Sequence, residues 1–310
     1  MPSIQSPLGA LPSRFRRERV LIVGCGDIGL RVASRLRGRV LMRALSSTPE
    51  RHATLRAAGI VPLAGNLDDP LSLRRLAGLA TRAIHLAPPA TEHSGAWWRD
   101  FRTLALLRAL AGRSAPASMV YASTSGVYGD CGGALVAEAR PPNPRTPRAQ
   151  RRLDAERLVR HFGRRTGSRV SILRVPGIYG PGRSGSPRER LEQGTPVLAA
   201  PEDVYTNHVH ADDLALAVEV ALWRGSAQRV YNTNDDTRLK AGDYYDLAAD
   251  IYGLQRPRRV ARASAEQELS LNSLGFLNES RQLSNERLKR ELRVALRFPT
   301  VREGLAAMRP

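Results

Sequence analysis

The chain has 310 residues, 42% of them hydrophobic, two cysteines and a formal net charge of +19. That length holds one large or two modest domains with a true core. No apolar run is long enough to span a bilayer, no Cys/His cluster has zinc spacing, and Cys25 and Cys131 alone rule out a disulfide framework and suit a reducing cytoplasm. The charge invites a nucleic-acid reading. Against it, only Lys240 and Lys289 are lysines, the arginines are spread along most of the chain, and aromatic residues make up 5%, which leaves few platforms for stacking bases. Solvated helix faces account for the charge, and neither nucleic acid nor membrane is expected as a partner.

Met1–Glu18 carries Pro2, Pro7, Pro12 and most of a basic cluster, with an apolar stretch too short and broken for a signal peptide; a disordered extension is expected. A strand at Val20–Val23 then ends in Gly24, Gly26 and Gly29, and a helix pattern over Asp27–Leu36 follows. This is the context that the G-x-G-x-x-G spacing requires. Gly24 permits a tight turn, Gly26 lets a pyrophosphate approach the backbone, and Gly29 lets the helix pack close to the strand. The first N–H groups of the helix, around Asp27 and Ile28, then face the phosphates, aided by the helix dipole.

Strands and helices go on alternating. Strands are predicted at Val40–Leu45, Ile60–Leu63, Ala83–Ala87, Met119–Ala122 and Val170–Leu173. Between them lie helices from Pro49 to Ala58 with Thr48 as cap, from Pro70 to about Ala80, from about Ser94 to Gly112, and from Thr146 to Arg165. The alternation implies right-handed crossovers and an α/β fold with a doubly wound parallel sheet. Beyond Pro176 the breaker-rich Gly177–Arg183 reads as a loop. A helix at Asp212–Leu222, a strand at Arg229–Asn232 and helices at Ala241–Tyr252, Ala263–Leu271, Asn285–Leu292 and Val301–Met308 come after it. The expected organisation is a dinucleotide-binding Rossmann domain over 19–176 with about 203–237. A smaller, mostly helical capping region over 177–202 and 238–310 packs over the carboxyl edge of the sheet, where ligands bind in such folds.

An NAD-specific site has an acid about 20 residues beyond the glycines. Here Leu45-Ser46-Ser47-Thr48 stands at that distance, flanked by Arg43 and Arg51. Hydroxyls and forked guanidinium donors suit a 2′-phosphate, so NADP is favoured over NAD. Solvated strand and helix arginines are the simpler explanation of the same residues.

From about Arg19 to Met308 the chain resembles the extended short-chain dehydrogenase/reductases of the NAD(P)-dependent epimerase/dehydratase type. The likeness rests on Gly24–Gly29, Asn66-Leu67, His85-Leu-Ala-Pro88, Tyr121-Ala-Ser-Thr-Ser-Gly-Val-Tyr-Gly129, Leu153-Asp-Ala-Glu156, Arg174-Val-Pro-Gly-Ile-Tyr-Gly-Pro-Gly182, Asn207-His-Val-His-Ala-Asp-Asp-Leu214, Leu283-Ser-Asn-Glu-Arg-Leu-Lys289 and Phe298-Pro-Thr-Val-Arg-Glu-Gly304. The resemblance implies roles by position. Asn66 and Leu67 would meet the adenine, Ala87 and Pro88 the ribose side, and Pro176 with Gly177 the nicotinamide. Thr124 matches the catalytic Ser/Thr, with Ser123 and Ser125 beside it; Ser125, Tyr179 and Asn207 would meet substrate. Related proteins often dimerise through the helices near Ser94–Gly112 and Thr146–Arg165, the second of which is arginine-rich here.

The pattern breaks at the catalytic Tyr-x-x-x-Lys. Aligned on Leu153–Glu156, Arg148 stands for the tyrosine and Arg152 for the lysine. The i, i+4 spacing keeps both on one helix face. Arg152 can still donate to ribose hydroxyls. Arg148 cannot shuttle a proton, because its pKa lies above about 12. Tyr128, Tyr179, His208 and His210 are the candidate substitutes, each with loop packing as the plainer reading. Two guanidiniums one turn apart also suit an anionic ligand, although Arg145, Arg151, Arg157 and Arg160 make a solvated basic face equally reasonable. The leading expectation is an NADP-binding reductase, epimerase or dehydratase of a small metabolite. A non-catalytic NADP sensor or regulator is the alternative, and a nucleic-acid-associated protein ranks third.

Overall fold

A computed structural model describes residues 18–91, 95–269 and 277–309. Seven strands form one parallel sheet: β1 (Arg19–Val23), β2 (Leu41–Ser46), β3 (Ile60–Ala64), β4 (Arg82–His85), β5 (Ser118–Thr124), β6 (Arg169–Val175) and β7 (Arg229–Asn232). Their order across the sheet is β3-β2-β1-β4-β5-β6-β7. The order reverses between β1 and β4, and a ligand crevice opens outside the carboxyl ends of strands at such a switch point.

Alternation along each strand sorts the core into two layers. Val20 and Ile22 of β1 face the layer built on α1 (Asp27–Leu36) and α6 (Ala211–Arg224), with Val32, Leu36, Leu214 and Val218. Leu21 and Val23 face the opposite layer, built on α3 (Phe101–Ala111) and α4 (Pro147–Thr166), with Leu106, Leu110, Val159 and Phe162. All these side chains are almost fully buried, which stabilises by about 1.5–3 kcal/mol for each large one. A third cluster joins Tyr179 and Leu191 of α5 (Pro187–Glu192) to α7 (Ala241–Tyr252) and α10 (Val301–Ala306), through Tyr244, Ala248, Val301 and Leu305. Among the described residues, further α-helices are α2 (Arg51–Ala57), α8 (Arg262–Glu268) and α9 (Glu286–Glu291).

Several boundaries move for identifiable reasons. Thr146 caps α4 by accepting from the Ala149 N–H at 3.2 Å. Thr48, the threonine of a second Thr-Pro pair, does not cap: the Ser46 hydroxyl accepts from its N–H and donates to its carbonyl, and the helix starts at Arg51. The helix predicted from Ser94 begins at Phe101, where Asp100 accepts from the Thr103 N–H at 3.0 Å. The Pro70 helix is a 3-10 turn ending at Leu76. Glu18, assigned to the N-terminal extension, is tied to the start of β4 through Thr81 and Arg82; residues 1–17 of that extension, Ser94 and Leu271 lie outside the described residues. Helix α5 and four two-strand pairs, among them Gly177–Tyr179 with His208–His210, have no counterpart in the sequence reading.

Candidate cofactor and substrate cleft

The carboxyl ends of β1, β4, β5 and β6 open into a cavity of about 1450 Å³, roofed by the segments after Tyr179 and by α7. Gly24 makes the turn at its floor. Its φ of +82° is one that side chains resist, and a Cβ there would lie 2.3 Å from the Ala87 nitrogen. Gly29 lets α1 approach, since its Cβ would come 3.1 Å from the Cys25 sulfur. Gly26 differs: a Cβ on it meets nothing within 4 Å. Gly26 is also the N-cap of α1, and no side chain caps the helix. The first N–H groups of α1 are therefore free to meet an anion at a site that a glycine keeps open, which fits a pyrophosphate.

Ser46, Ser47, Arg51, Asn66 and Leu67 line the adjoining end. Arg51 reaches back and donates to the Cys25 carbonyl at 2.8 Å, which joins the glycine turn to the end of β2. The Ser46 hydroxyl is engaged in its turn with Thr48, and the Asn66 side-chain carbonyl accepts from the Asp68 N–H at 3.0 Å. Arg43 is not in the cleft. It sits in mid-strand, paired in register with Leu21 and Val61, below the carboxyl edge.

Ala87, Pro88, Thr124, Ser125, Arg148, Arg152 and Pro176 gather at the other end. Arg152 is buried, and its Nη1 donates to the carbonyls of Ala122 at 2.6 Å and Ala87 at 3.3 Å and to the Tyr121 hydroxyl at 3.2 Å. It thus ties the ends of β4 and β5 together. Burial, with the charge of Arg152 added, pushes the pKa of neighbouring His85 down to about 3. Arg148 lines the cleft as an exposed side chain; desolvation by the cleft walls and then the charge of Arg152 lower its pKa.

The candidate proton donors do not assemble here. Tyr128 does not line the cleft: it is fully buried, donates to the Asn232 side-chain carbonyl at 2.8 Å and lies under the Arg174 guanidinium. The Tyr179 ring borders the cleft, but its hydroxyl points into the cap core against Gly304 and has no partner among the described residues, and burial raises its pKa. The Asn207 side chain is taken up by the backbone, donating to Arg281 and accepting from Leu283. His208 stacks on Tyr244 at 3.9 Å and is held neutral, its pKa pushed down to about 3 by burial. His210 accepts from the Asp212 N–H at the start of α6. Ser123 donates to Glu156 at 2.6 Å, which pairs with buried Arg174. Thr124 and Ser125 remain as hydroxyls at the cleft wall.

Residues that sequence reasoning missed come from the roof. Arg183, which pairs with Asp27 at the start of α1, faces the phosphate end, and Arg190, Tyr245, Glu279 and Arg281 face the other. Arg183, Glu279 and Arg281 sit on loops and Arg190 on the six-residue α5, all without motif spacing; Tyr245 sits on α7, a predicted helix in which no motif marked it. Among the described residues the cleft is lined by eight arginines but only two carboxylates, Asp27 and Glu279, both paired with arginine.

Comparison with known proteins agrees with this architecture. The model of the NAD dependent epimerase/dehydratase family matches residues 20–233. The GDP-6-deoxy-D-mannose reductase of Pseudomonas aeruginosa is 31% identical over 179 residues, covering 52% of this chain and 59% of that one. Protein YeeZ of Escherichia coli K12 is 28% identical over 141 residues, covering 45% of this chain and 48% of its own. The chain thus spans about half the length of the curated relatives it matches. A functionally unknown protein from Silicibacter pomeroyi superposes with a TM-score of 0.78 at 27% identity, over 94% of this chain and 98% of that one. The UDP-glucose 4-epimerase of Thermotoga maritima superposes with a TM-score of 0.75 at 20% identity, over 93% and 96%, a likeness of fold.

Proposed function

Because the chain belongs to the NAD dependent epimerase/dehydratase family, we propose that it is an NADP-dependent reductase, epimerase or dehydratase of a small anionic metabolite, working without a Tyr-x-x-x-Lys pair. One observation carries the reading: the uncapped start of α1 opens through Gly26 into a cleft whose lining is strongly positive. The backbone at Gly24, Gly26, Asp27 and Ile28 would hold the pyrophosphate. Arg51, with Ser46 and Ser47, would take the 2′-phosphate. Asn66 and Leu67 would face the adenine, Ala87, Pro88 and Arg152 the ribose, and Pro176 the nicotinamide. The dinucleotide supplies hydride transfer when bound.

The chain's own part is to orient the reacting oxygen. The Thr124 hydroxyl can donate to it, and the Arg148 cation can stabilise negative charge on it. Arg148 cannot return a proton at neutral pH, so that proton comes from water in the open cleft. Loss of a positioned acid typically costs about 10²–10⁴ in rate, and slow turnover is expected. One observation favours the second reading, cofactor binding without turnover: Tyr128, Tyr179, His208 and His210 are all buried away or engaged.

Titration by nicotinamide fluorescence tests the proposal. NADPH should bind at least about tenfold tighter than NADH, and Arg51→Ala should weaken NADPH about tenfold or more while sparing NADH, as loss of a charge-assisted hydrogen bond predicts. Equal affinities would remove the preference for NADP, and failure to bind either would remove both readings. Single-turnover NADPH oxidation with small carbonyl acids separates the enzyme from the binder.

A further inference from the structure

The eight arginines of the cleft differ in their partners. Arg102, Arg183 and Arg281 each hold a carboxylate: Asp68, Asp27 and Glu279. Arg51 and Arg151 donate to backbone carbonyls, and Arg190 bonds Tyr245. Arg148 and Arg152 stand apart as two adjacent cations. Neither has a carboxylate oxygen within 4.0 Å among the described residues, and Arg148 makes no hydrogen bond there at all. They stand one turn apart at the start of α4, on the face that lines the cleft, whereas Arg145 and Arg157 of the same basic segment do not line it. The basic run is therefore split by the fold, and a solvated face accounts for one part only.

Arg152 sharpens the point. It is 6% exposed and lines the cleft. Its Nη1 is used up on two carbonyls and a hydroxyl, and Nη2 has no partner among the described residues. A guanidinium this deep, touching neutral acceptors alone, with buried Asp100 beyond ion-pair distance and a second cation one turn away, has its positive charge only partly compensated. An oxyanion between the two would relieve the repulsion and meet the free donors in the fork geometry that arginine favours. The hydroxyls of Thr124 and Ser125 line the same end.

We propose that Arg148 and Arg152 form an oxyanion subsite beside Thr124, so that the substrate carries a carboxylate or a phosphate next to its reacting carbon. The subsite rests on the cofactor reading above only for which carbon reacts; the site itself stands on the two adjacent cations and on the donors of Arg152 that no described residue meets. It adjoins the ribose position that Arg152 also serves: Nη1 anchors the strand ends, and Nε, buried without a partner among the described residues, and Nη2 are left for ribose and anion together.

The probes are malonate and inorganic phosphate, titrated into the full-length protein by calorimetry at matched ionic strength, with and without NADPH. Wild-type protein should bind at least one of them saturably, and should do so with NADPH present. Arg148→Gln should weaken that binding about tenfold or more, the loss of one charge-assisted contact. Arg152→Lys, which keeps the charge and loses the fork, should weaken it as well. Thermal unfolding of both variants reports that the fold is intact. Preference for malonate assigns a carboxylate substrate and preference for phosphate a phosphorylated one. Equal binding by wild type and Arg148→Gln, or mutual exclusion of the probe and NADPH, overturns the subsite. If NADPH itself fails to bind, the function proposed above falls, and the comparison of wild type with Arg148→Gln still decides the subsite.

Discussion

Two glycines of one turn should respond to the same substitution in opposite ways. In Gly24→Ala the new Cβ lies 2.3 Å from the Ala87 nitrogen and 2.6 Å from its Cα, on backbone with φ +82°. Left-handed backbone costs a side-chain residue about 1–2 kcal/mol, and forcing an atom into packed backbone adds about 1–3 kcal/mol. A destabilisation of about 2–5 kcal/mol follows. In Gly26→Ala the Cβ meets nothing within 4 Å, and φ is −82° with a ψ of −149° just past the extended region. Stability should then fall by no more than about 1 kcal/mol. The methyl would instead stand where a pyrophosphate must approach, and losing one hydrogen bond to a charged oxygen is worth about 1.5–3 kcal/mol, or about 10–150-fold in NADPH affinity. Urea unfolding and NADPH titration of both variants provide the check. A Gly24→Ala protein as stable as wild type, or a Gly26→Ala protein that binds NADPH as tightly, would refute the assignment of one glycine to packing and the other to ligand.

Other consequences follow from buried groups. His85 and His208 are held neutral in the fold, their pKa values pushed down to about 3 by burial, with the charge of Arg152 adding to the effect on His85. Unfolding lets both protonate below about 6.5, so stability is lost as pH falls from there. Asp235 has the opposite sign: burial pushes its pKa up to about 8 against hydrogen bonds from Thr237, so its contribution is lost as pH rises toward 8. Urea unfolding should therefore show a maximum near pH 6.5, each group contributing at most about 1.4 kcal/mol per pH unit in its window. Asp235→Asn should flatten the decline above it, and a steady rise from pH 5 to 8 in wild type would contradict the sign. Glu156→Gln strands Arg174, whose side chain is 3% exposed, and should cost about 3–5 kcal/mol in unfolding free energy; a loss under about 1 kcal/mol would contradict it. Arg183→Ala leaves Asp27 with Arg31, so stability should change by less than about 1 kcal/mol, while NADPH binding weakens about tenfold. Unchanged affinity would remove Arg183 from the phosphate end.

Legibility in the sequence followed how local the governing interactions are. Strand β1, its glycine turn, the strand at Arg229–Asn232 and the helix at Ala241–Tyr252 carry their periodicity and end signals within a few residues, and they form as read. The start of α3 was not legible, because Asp100 is also anchored from afar, its N–H donating to Asp154 at 2.9 Å. The pair Thr48-Pro49 shows the same limit from the other side: a serine two residues earlier captures the threonine backbone and the expected cap never forms. In the cleft, the floor was readable from motif spacing. Tyr128 looked available until Asn232, more than a hundred residues away, claimed its hydroxyl. The roof arginines, Arg183 and Arg190, are brought over the sheet only by tertiary packing of short elements that have no periodic signature.

A crystal structure of the protein with NADPH bound tests the central claim most directly. The account predicts the pyrophosphate at the N–H groups of Asp27 and Ile28, the 2′-phosphate against Arg51, and the nicotinamide beside Thr124 and Pro176 with Arg148 and Arg152 open to an anion next to it. Nicotinamide density elsewhere, a carboxylate of the protein swung onto Arg148, or a cleft that excludes the dinucleotide would contradict it.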